Sequence, residues 1–119
     1  MKESILKVSG NCMFPVLSEG DSIIYKYDAE PRIGDLIVFL RDGFLQIHRV
    51  IFTLPGGKIF QKADNRLRGS WIKKNQVLGI VSHIIQDNKT TTIYNRTERY
   101  KGILTCLFIF SKRMLDKLI

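Results

Sequence analysis

Two short segments carry residue types that could perform acyl transfer together. The first is GNCMFP, residues 10–15, where Cys12 follows a glycine that can adopt unusual backbone angles and precedes Pro15. The second is QIHRVI, residues 46–51, which holds His48, one of two histidines in the chain. A neutral imidazole can remove a thiol proton near pH 7, and the thiolate can then attack a carbonyl group. Each residue also has a structural interpretation, Cys12 as a small buried hydrophobe and His48 as a satisfied strand residue.

The elements that would position these residues are predicted to be mostly β-strands. Short apolar runs rich in Val, Ile, Phe and Tyr alternate with turn residues, and strands are expected near 4–8, 22–27, 36–40, 44–51, 58–62, 77–86 and 90–95. RDG between two runs predicts a hairpin, and LPGGK predicts a second turn. Many short strands with closely spaced turns indicate a mainly β fold, built as a barrel or a sandwich.

The C-terminal segment, residues 101–119, has a different pattern. Its apolar residues recur at spacings of four, three, four and four, which predicts one face of a helix, namely Ile103, Leu107, Phe110, Met114 and Leu118. Two interpretations stay open. The helix packs on a β domain of residues 1–100, or it lies on an anionic membrane as an interfacial helix.

Composition limits the classes of function. The chain has 119 residues and a formal net charge of +8, which favours an anionic partner such as an acidic peptide, a membrane surface or nucleic acid. The two cysteines and two histidines are too scattered for a metal site, so neither a metal nor another cofactor is expected. No signal peptide is evident, and the uncharged run at 102–111 is too short to span a membrane, which predicts a cytoplasmic protein with reduced thiols.

Five motifs occur in a fixed order along the first 85 residues. They are GNCMFPVLSEGD at 10–21, IGDLIVF at 33–39, IHRVI at 47–51, KADN at 62–65 and VLGIV at 77–81. This series resembles the signal peptidase I superfamily, which also contains the LexA-like autoproteases of SOS repressors. The family pattern has a Gly-x-Ser-Met-x-Pro segment, two Gly-Asp elements, a Lys-Arg or His-Arg pair, a Gly-Asp-Asn element and a Gly-x-Val strand.

The resemblance implies a role for each matching residue. Cys12 occupies the position of the nucleophilic serine, and its backbone N–H is implied as an oxyanion donor. His48 occupies the position of the general base, and Asp64 is implied to orient His48 or, alternatively, to accept local backbone hydrogen bonds in a turn. Met13 and Pro15 are implied to shape the substrate groove.

Four departures from the family pattern bear on function. Cysteine replaces serine at position 12, Ala63 replaces the glycine of Gly-Asp-Asn, a further aspartate after that element is missing, and no N-terminal membrane helix is present. The expected function is therefore a peptidase that cleaves a leader or precursor peptide in the cytoplasm, with peripheral membrane contact through the C-terminal helix. A catalytically inactive relative that binds extended peptides is the first alternative. A basic nucleic-acid-binding β domain is the second, although no nucleic acid is expected as a partner because aromatic and basic residues do not interleave.

Overall fold

The computed structural model describes residues 2–10, 13, 16–27, 30–93 and 96–118. They form eight strands, a short 3-10 helix at Lys74–Gln76 and one long helix. In chain order, the strands and the helix are β1 Glu3–Lys7, β2 Ser22–Lys26, β3 Leu36–Arg41, β4 Phe44–Leu54, β5 Lys58–Lys62, β6 Gly69–Lys73, β7 Val77–Gln86, β8 Lys89–Thr92 and α1 Arg96–Leu118. The prediction of a mainly β fold with a C-terminal helix is confirmed.

All strand pairs in the sheet are antiparallel. The strand order is β1-β2-β7-β3-β4-β5-β6, and β8 pairs with the second half of β7. Strands β3 and β4 form the hairpin that RDG predicted, because Asp42 and Gly43 both adopt positive φ angles, of 54° and 80°. Such angles at both central residues match the twist of the two flanking strands.

Alternation along the strands builds a separate apolar cluster on each side of the sheet. Leu36 and Val38 of β3 join one cluster, together with Met13, Leu17 and residues of β2 and β7. The intervening residues Ile37 and Phe39 join a second cluster with Val50 and residues of β5, β6 and β7. Because neighbouring residues of a strand face opposite sides, β3 contributes to both clusters without a polar face.

Strand β6 was missed by the sequence analysis. Its buried residue Ile72 pairs with Ile59, while the neighbouring Trp71 stays half exposed and pairs with Phe60. Charged residues on both sides of this five-residue strand obscure the alternation. The other strand predictions agree with the structure to within a few residues, except that the predicted strand at 90–95 ends at Thr92, and Tyr94 and Asn95 lie outside the described residues.

Helix α1 begins at Arg96, before the predicted start of the C-terminal segment at residue 101. Its packed side is formed by Gly102 and Cys106, which are buried, and by the partly buried Ile109 and Arg113, at spacings of four, three and four. Arg113 donates hydrogen bonds from Nη1 to the backbone oxygen and to Oδ1 of Asn65, at 3.0 and 2.9 Å.

The predicted apolar face of α1 is therefore not the side that packs on the sheet. Leu107, Phe110 and Met114 are exposed, Ile103 is half buried, and the side chain of Leu118 lies outside the described part. The spacing correctly predicted a helix, but the small residues Gly102 and Cys106 allow a closer approach to the sheet than the larger apolar residues would. Within the described residues, no helix combines the length and the apolarity that crossing a bilayer requires.

Glycines bring α1 close to a buried arginine. A Cβ atom at Gly102 would lie 1.9 Å from Nη1 of Arg49, whose side chain is held by three hydrogen bonds and cannot easily move. Gly34, in the turn before β3, has a φ of +94°, and a Cβ atom there would lie 2.7 Å from the backbone oxygen of Arg99. Gly34 and Gly102 therefore allow α1 to pack this closely, because a larger residue does not fit at either position.

We expect Gly102→Ala to destabilise the fold although alanine favours a helix. Alanine would add about 1 kcal/mol of intrinsic helix stability in an open helix. Here it displaces Arg49 or the helix, and we expect a net loss of roughly 1–3 kcal/mol in the free energy of unfolding, measured by urea titration. Ser111→Ala, at an exposed position of α1, is the control and should change stability little. Equal or greater stability of Gly102→Ala would contradict this packing.

Candidate active site

His48 lies in the middle of β4, on the side of the second apolar cluster. It pairs with Ile37 in the register of β3 and β4, and its ring contacts Phe39 edge to face, with 5.3 Å between ring centroids. Alternation along β4 places Gln46, His48 and Val50 on one side of the strand, and Val50 is buried there beside Ile37 and Phe39. The imidazole is half buried at the rim of the cluster.

A buried glutamine fixes the orientation of the imidazole. Nδ1 of His48 lies 2.5 Å from Oε1 of Gln61, which is 2% exposed. Gln61 sits on the neighbouring strand β5, diagonal to His48 on the same side of the sheet. Nε2 of Gln61 donates to Oγ of Ser70 at 2.7 Å, and Nη1 of Arg41 donates to the same oxygen at 2.5 Å.

The orientation of the Gln61 amide assigns the proton of neutral His48 to one ring nitrogen. In this orientation Nε2 of Gln61 donates to Ser70 and Oε1 accepts, so Nδ1 of His48 is the donor. Nε2 of the neutral imidazole is then an acceptor. A general base requires this tautomer, in which Nδ1–H donates to an acceptor that orients the ring and Nε2 can receive a proton.

The surroundings keep the imidazole neutral. Burial lowers the pKa of His48 below its ordinary value of about 6.5, and the hydrogen bond to Gln61 only partly opposes this effect. The positive charges of Arg41 and Arg66 lower the pKa further, while the negative charge of Asp64 raises it. Because the folded-state pKa lies below the unfolded one, His48 reduces stability as the pH falls below about 6.5.

Asp64 has a different partner from the one that was expected. Its two carboxylate oxygens accept hydrogen bonds from Nε and Nη2 of Arg49, at 2.9 and 2.8 Å. Asp64 is fully buried, Arg49 is 3% exposed, and Nη1 of Arg49 donates to the backbone oxygen of Gly34 at 2.8 Å. Because both oxygens of Asp64 bind Arg49, the group that orients His48 in this structure is Gln61 and not Asp64.

Met13, which follows the expected nucleophile in the sequence, is anchored in the core. It is 3% exposed, packs in the first apolar cluster with Ala63, and its sulfur accepts a hydrogen bond from the backbone N–H of Asp64 at 3.2 Å. Met13 is thus a core residue and does not line a groove, contrary to the expectation from the resemblance. Cys12 and Pro15, the other two expected residues of this segment, lie outside the described residues.

The imidazole opens onto a cleft of about 380 Å³, which we call the His48 cleft. Besides His48 and Gln61, it is lined by Arg41, Ser70, Ala63, Arg66 and Arg68, together with Gln46 and Gly69. Among the described residues, no acidic side chain contributes to the lining. Ala63 borders this cleft and also belongs to the same apolar cluster as Met13, so Met13 lies close to the His48 cleft at the end of β5.

The other cysteine is enclosed by the sheet and α1. Cys106 is 1% exposed, and burial together with the charge of Asp64 raises the pKa of its thiol. A buried thiol with a raised pKa is a poor nucleophile.

The sequence analysis did not identify the residues that orient His48. A polar residue such as Gln61 inside an apolar strand, KIFQK, is a recognisable signal, but its partner Ser70 lies on the strand that was missed. Comparison of the chain with protein-family models gave no match, and comparison with curated proteins also gave none.

We expect Gln61→Glu to raise the pKa of His48. A carboxylate beside Nδ1–H stabilises the imidazolium, and the increase should be about one unit or more. The measurement is a proton NMR titration of the ring Cε1–H resonances, assigned with His83→Gln. Asn75→Asp introduces the same charge at an exposed position outside the His48 cleft and should leave this pKa nearly unchanged. A similar effect of both variants would contradict the assigned hydrogen bond.

Proposed function

We propose that the protein is a peptidase of the signal-peptidase-like type, with Cys12 as nucleophile and His48 as general base. The observation that carries this proposal is the orientation of His48, whose Nδ1 is held by Gln61 so that Nε2 can accept a proton. His48 is also half buried at the edge of the His48 cleft, where a ligand could reach its ring. The order of sequence motifs from GNCMFP to VLGIV supports the same assignment.

In the proposed reaction, Nε2 of His48 and the sulfur of Cys12 exchange the protons that the bond changes require. Nε2 of His48 accepts the proton of the Cys12 thiol as the sulfur attacks the carbonyl carbon of the peptide bond. The backbone N–H of Cys12 donates to the resulting oxyanion. The imidazolium then protonates the leaving amine, which leaves a thioester. Water attacks this thioester and gives one proton to His48. The imidazolium then passes that proton to the leaving sulfur, which releases the carboxylic acid and restores the free thiol and the neutral imidazole.

The substrate in this proposal is an extended leader or precursor peptide. Strand β6 forms the end of the sheet and pairs only with β5 among the described strands, so its other edge can accept a peptide strand. Gly69 and Ser70 of β6 line the His48 cleft. A peptide paired along β6 would therefore pass beside the imidazole. Maturation of a peptide made in the same cell fits the cytoplasmic location that the sequence predicts.

A catalytically inactive protein that binds extended peptides is the second candidate. It is favoured by the low pKa of His48, because a weakly basic imidazole stabilises a thiolate–imidazolium pair poorly. The sheet edge and the His48 cleft would serve this function equally well. The reactivity of Cys12 separates the two candidates.

We expect Cys12 to react with iodoacetamide at pH values well below 8.5, the region where a free thiol ionises. Proton removal by His48 is the reason, so His48→Ala should shift the reaction toward higher pH. The rate of alkylation against pH is measured by peptide mass spectrometry. Cys106 is the internal control, since it is buried and should react slowly in both proteins. If Cys12 follows the same profile with and without His48, the peptidase is excluded and the peptide-binding protein remains.

The proposal includes peripheral contact with an anionic membrane through α1. The side of α1 opposite to the packed side exposes a continuous apolar band, formed by Tyr100, Leu104, Leu107, Phe108 and Leu115. Each of these side chains is more than half exposed, which is unusual for large apolar residues on one face of a helix. Lys101 and Lys112 flank the band, and the chain carries a net charge of +8, which complements anionic lipid headgroups.

We expect the protein to sediment with vesicles that contain phosphatidylserine and to bind pure phosphatidylcholine vesicles more weakly. The double variant Leu104→Glu/Phe108→Glu should lower partitioning at least about tenfold, because it removes two large apolar side chains from the contact. Thr90→Glu/Thr91→Glu adds the same charge on exposed β8 and should retain most of the binding. Equal binding of all three proteins, or none to either vesicle, would exclude this surface as a membrane contact.

A further inference from the structure

We propose that Phe52, Phe60 and Trp71 form a second contact with an anionic lipid bilayer, beside the contact made by α1. This inference rests on the membrane contact in the proposed function and deepens it, because it states how the protein lies on the bilayer. The three residues come from β4, β5 and β6 and are neighbours in the strand register, Phe52 opposite Phe60 and Phe60 opposite Trp71. We call them the aromatic row.

The aromatic row is exposed and is held in place by the sheet. Phe52 and Trp71 are 49% and 50% exposed, and the partly buried Phe60 lies between them. The rings of Phe60 and Trp71 meet edge to face, with 5.2 Å between centroids. A Cβ atom at Gly69 would lie 2.8 Å from Cε2 of Phe60, so this ring packs directly on the backbone of β6. Tryptophan is enriched at membrane–water interfaces because its ring is apolar while its N–H can stay in contact with water.

A basic row adjoins the aromatic row on the same face of the sheet. Lys58 and Lys73 lie directly opposite each other, two residues along their strands from Phe60 and Trp71, and both are exposed. Like charges at directly opposite positions destabilise a strand pair. Neither lysine forms an ion pair with another residue in the described part of the chain. Leu54, which is 41% exposed, completes this row opposite Lys58. An anionic surface would offset the repulsion and attract both lysines.

The aromatic row and the exposed residues of α1 lie on one side of the molecule. Phe60 and Lys62 are two residues apart in β5 and therefore face the same side. Nζ of Lys62 lies 6.0 Å from the centroid of the Phe110 ring of α1. Phe110 is 36% exposed and shares its side of the helix with the exposed Leu107 and Met114, at spacings of three and four. One bilayer can therefore contact both α1 and the sheet.

The His48 cleft faces away from this surface. Gln61, which contacts His48, adjoins Phe60 in β5 and therefore points to the opposite side of the sheet. Ser70 and Trp71 have the same relation in β6. A bilayer on the aromatic row would leave the His48 cleft open to water. The peptide would then reach His48 from the aqueous side, and a peptide segment embedded in the bilayer would not.

The composition of the surface favours a bilayer over single-stranded nucleic acid. Proteins that bind single strands stack successive bases on the faces of exposed aromatic rings. The ring planes of Phe60 and Trp71 lie at 66° to each other, so the two rings do not form a common stacking face. Leu54 and the exposed leucines of α1 add aliphatic surface, whose removal from water by lipid acyl carbons is favourable.

Trp71 reports on this contact directly, because it is the only tryptophan of the chain. The full chain is mixed with vesicles of phosphatidylserine and phosphatidylcholine, and the emission of Trp71 is recorded. We expect the emission to shift to shorter wavelengths, and phosphatidylcholine brominated on its acyl chains to quench it, since an interfacial indole lies next to the first acyl carbons. Unchanged emission from protein that sediments with the vesicles would overturn the inference, and so would a failure to sediment.

Two double variants test the basic row. Lys58→Gln/Lys73→Gln should lower partitioning onto the vesicles about tenfold, because each lysine near the surface attracts anionic headgroups. Lys7→Gln/Lys89→Gln removes the same net charge from exposed positions in β1 and β8 and should have a much smaller effect. Equal effects of the two variants would contradict a contact through β5 and β6.

Two further outcomes would assign the surface to another partner and overturn the inference. A shift of the Trp71 emission with rising protein concentration, in the absence of vesicles, would assign the aromatic row to contact with a second copy of the chain. Quenching of Trp71 by oligo(dT) at concentrations below those at which the vesicles act would assign it to nucleic acid.

The outcome is separable from that of the proposed function. The alkylation profile of Cys12 measures the thiol without lipid. If Leu104→Glu/Phe108→Glu loses binding while Trp71 of the unmodified chain shows no shift, α1 is the membrane contact and the aromatic row is not. If Trp71 shifts and this variant binds as well as the unmodified chain, the aromatic row remains and α1 is excluded.

Discussion

The ion pair between Arg49 and Asp64 joins the parts of the molecule that build the site. Arg49 donates from β4 to both oxygens of Asp64 and to the backbone oxygen of Gly34. Gly102 of α1 packs against the same guanidinium, and the backbone N–H of Asp64 holds the sulfur of Met13. Removing two charges from water costs several kcal/mol for each ion, so the pair is stable only while every one of these hydrogen bonds is made. Loss of either partner would leave a buried charge and cost about 3–5 kcal/mol.

That pair also determines where the imidazole points. Arg49 and His48 are consecutive residues of β4, and consecutive side chains of a strand face opposite sides of the sheet. Once Arg49 is fixed on the side of α1, His48 must face the side of Gln61 and Ser70. A shift of β4 by one residue would exchange the two environments and bury an unpaired guanidinium in the second apolar cluster. The ion pair and the orientation of His48 therefore constrain each other through the register of the sheet.

Hydrophobic alternation was sufficient to predict most strands, because each half-buried strand carries the pattern within its own sequence. The hairpin at Asp42 and Gly43 was predictable for the same local reason, since only certain residues tolerate positive φ at both positions. Partners across strands were not predictable. Asp64 was expected to orient His48 or to accept backbone hydrogen bonds in a turn, and it binds Arg49 instead. The contact of Gln61 with His48 depends on a strand register that no local pattern records. The packed side of α1 was missed because close approach is made by Gly102 and Cys106, which carry little hydrophobic signal.

The surroundings of His48 act in both directions on its strength as a base. Burial and the positive charges of Arg41 and Arg66 disfavour the imidazolium, whereas the hydrogen bond to Gln61 and the charge of Asp64 favour it. In the proposed peptidase, a thiolate–imidazolium pair would therefore be less stable than one formed by a histidine of ordinary pKa. The hydrogen bond to Gln61 would oppose this effect, because it orients Nδ1–H and stabilises the protonated ring at the same time. The side chain that orients the imidazole would thus also preserve part of its basicity.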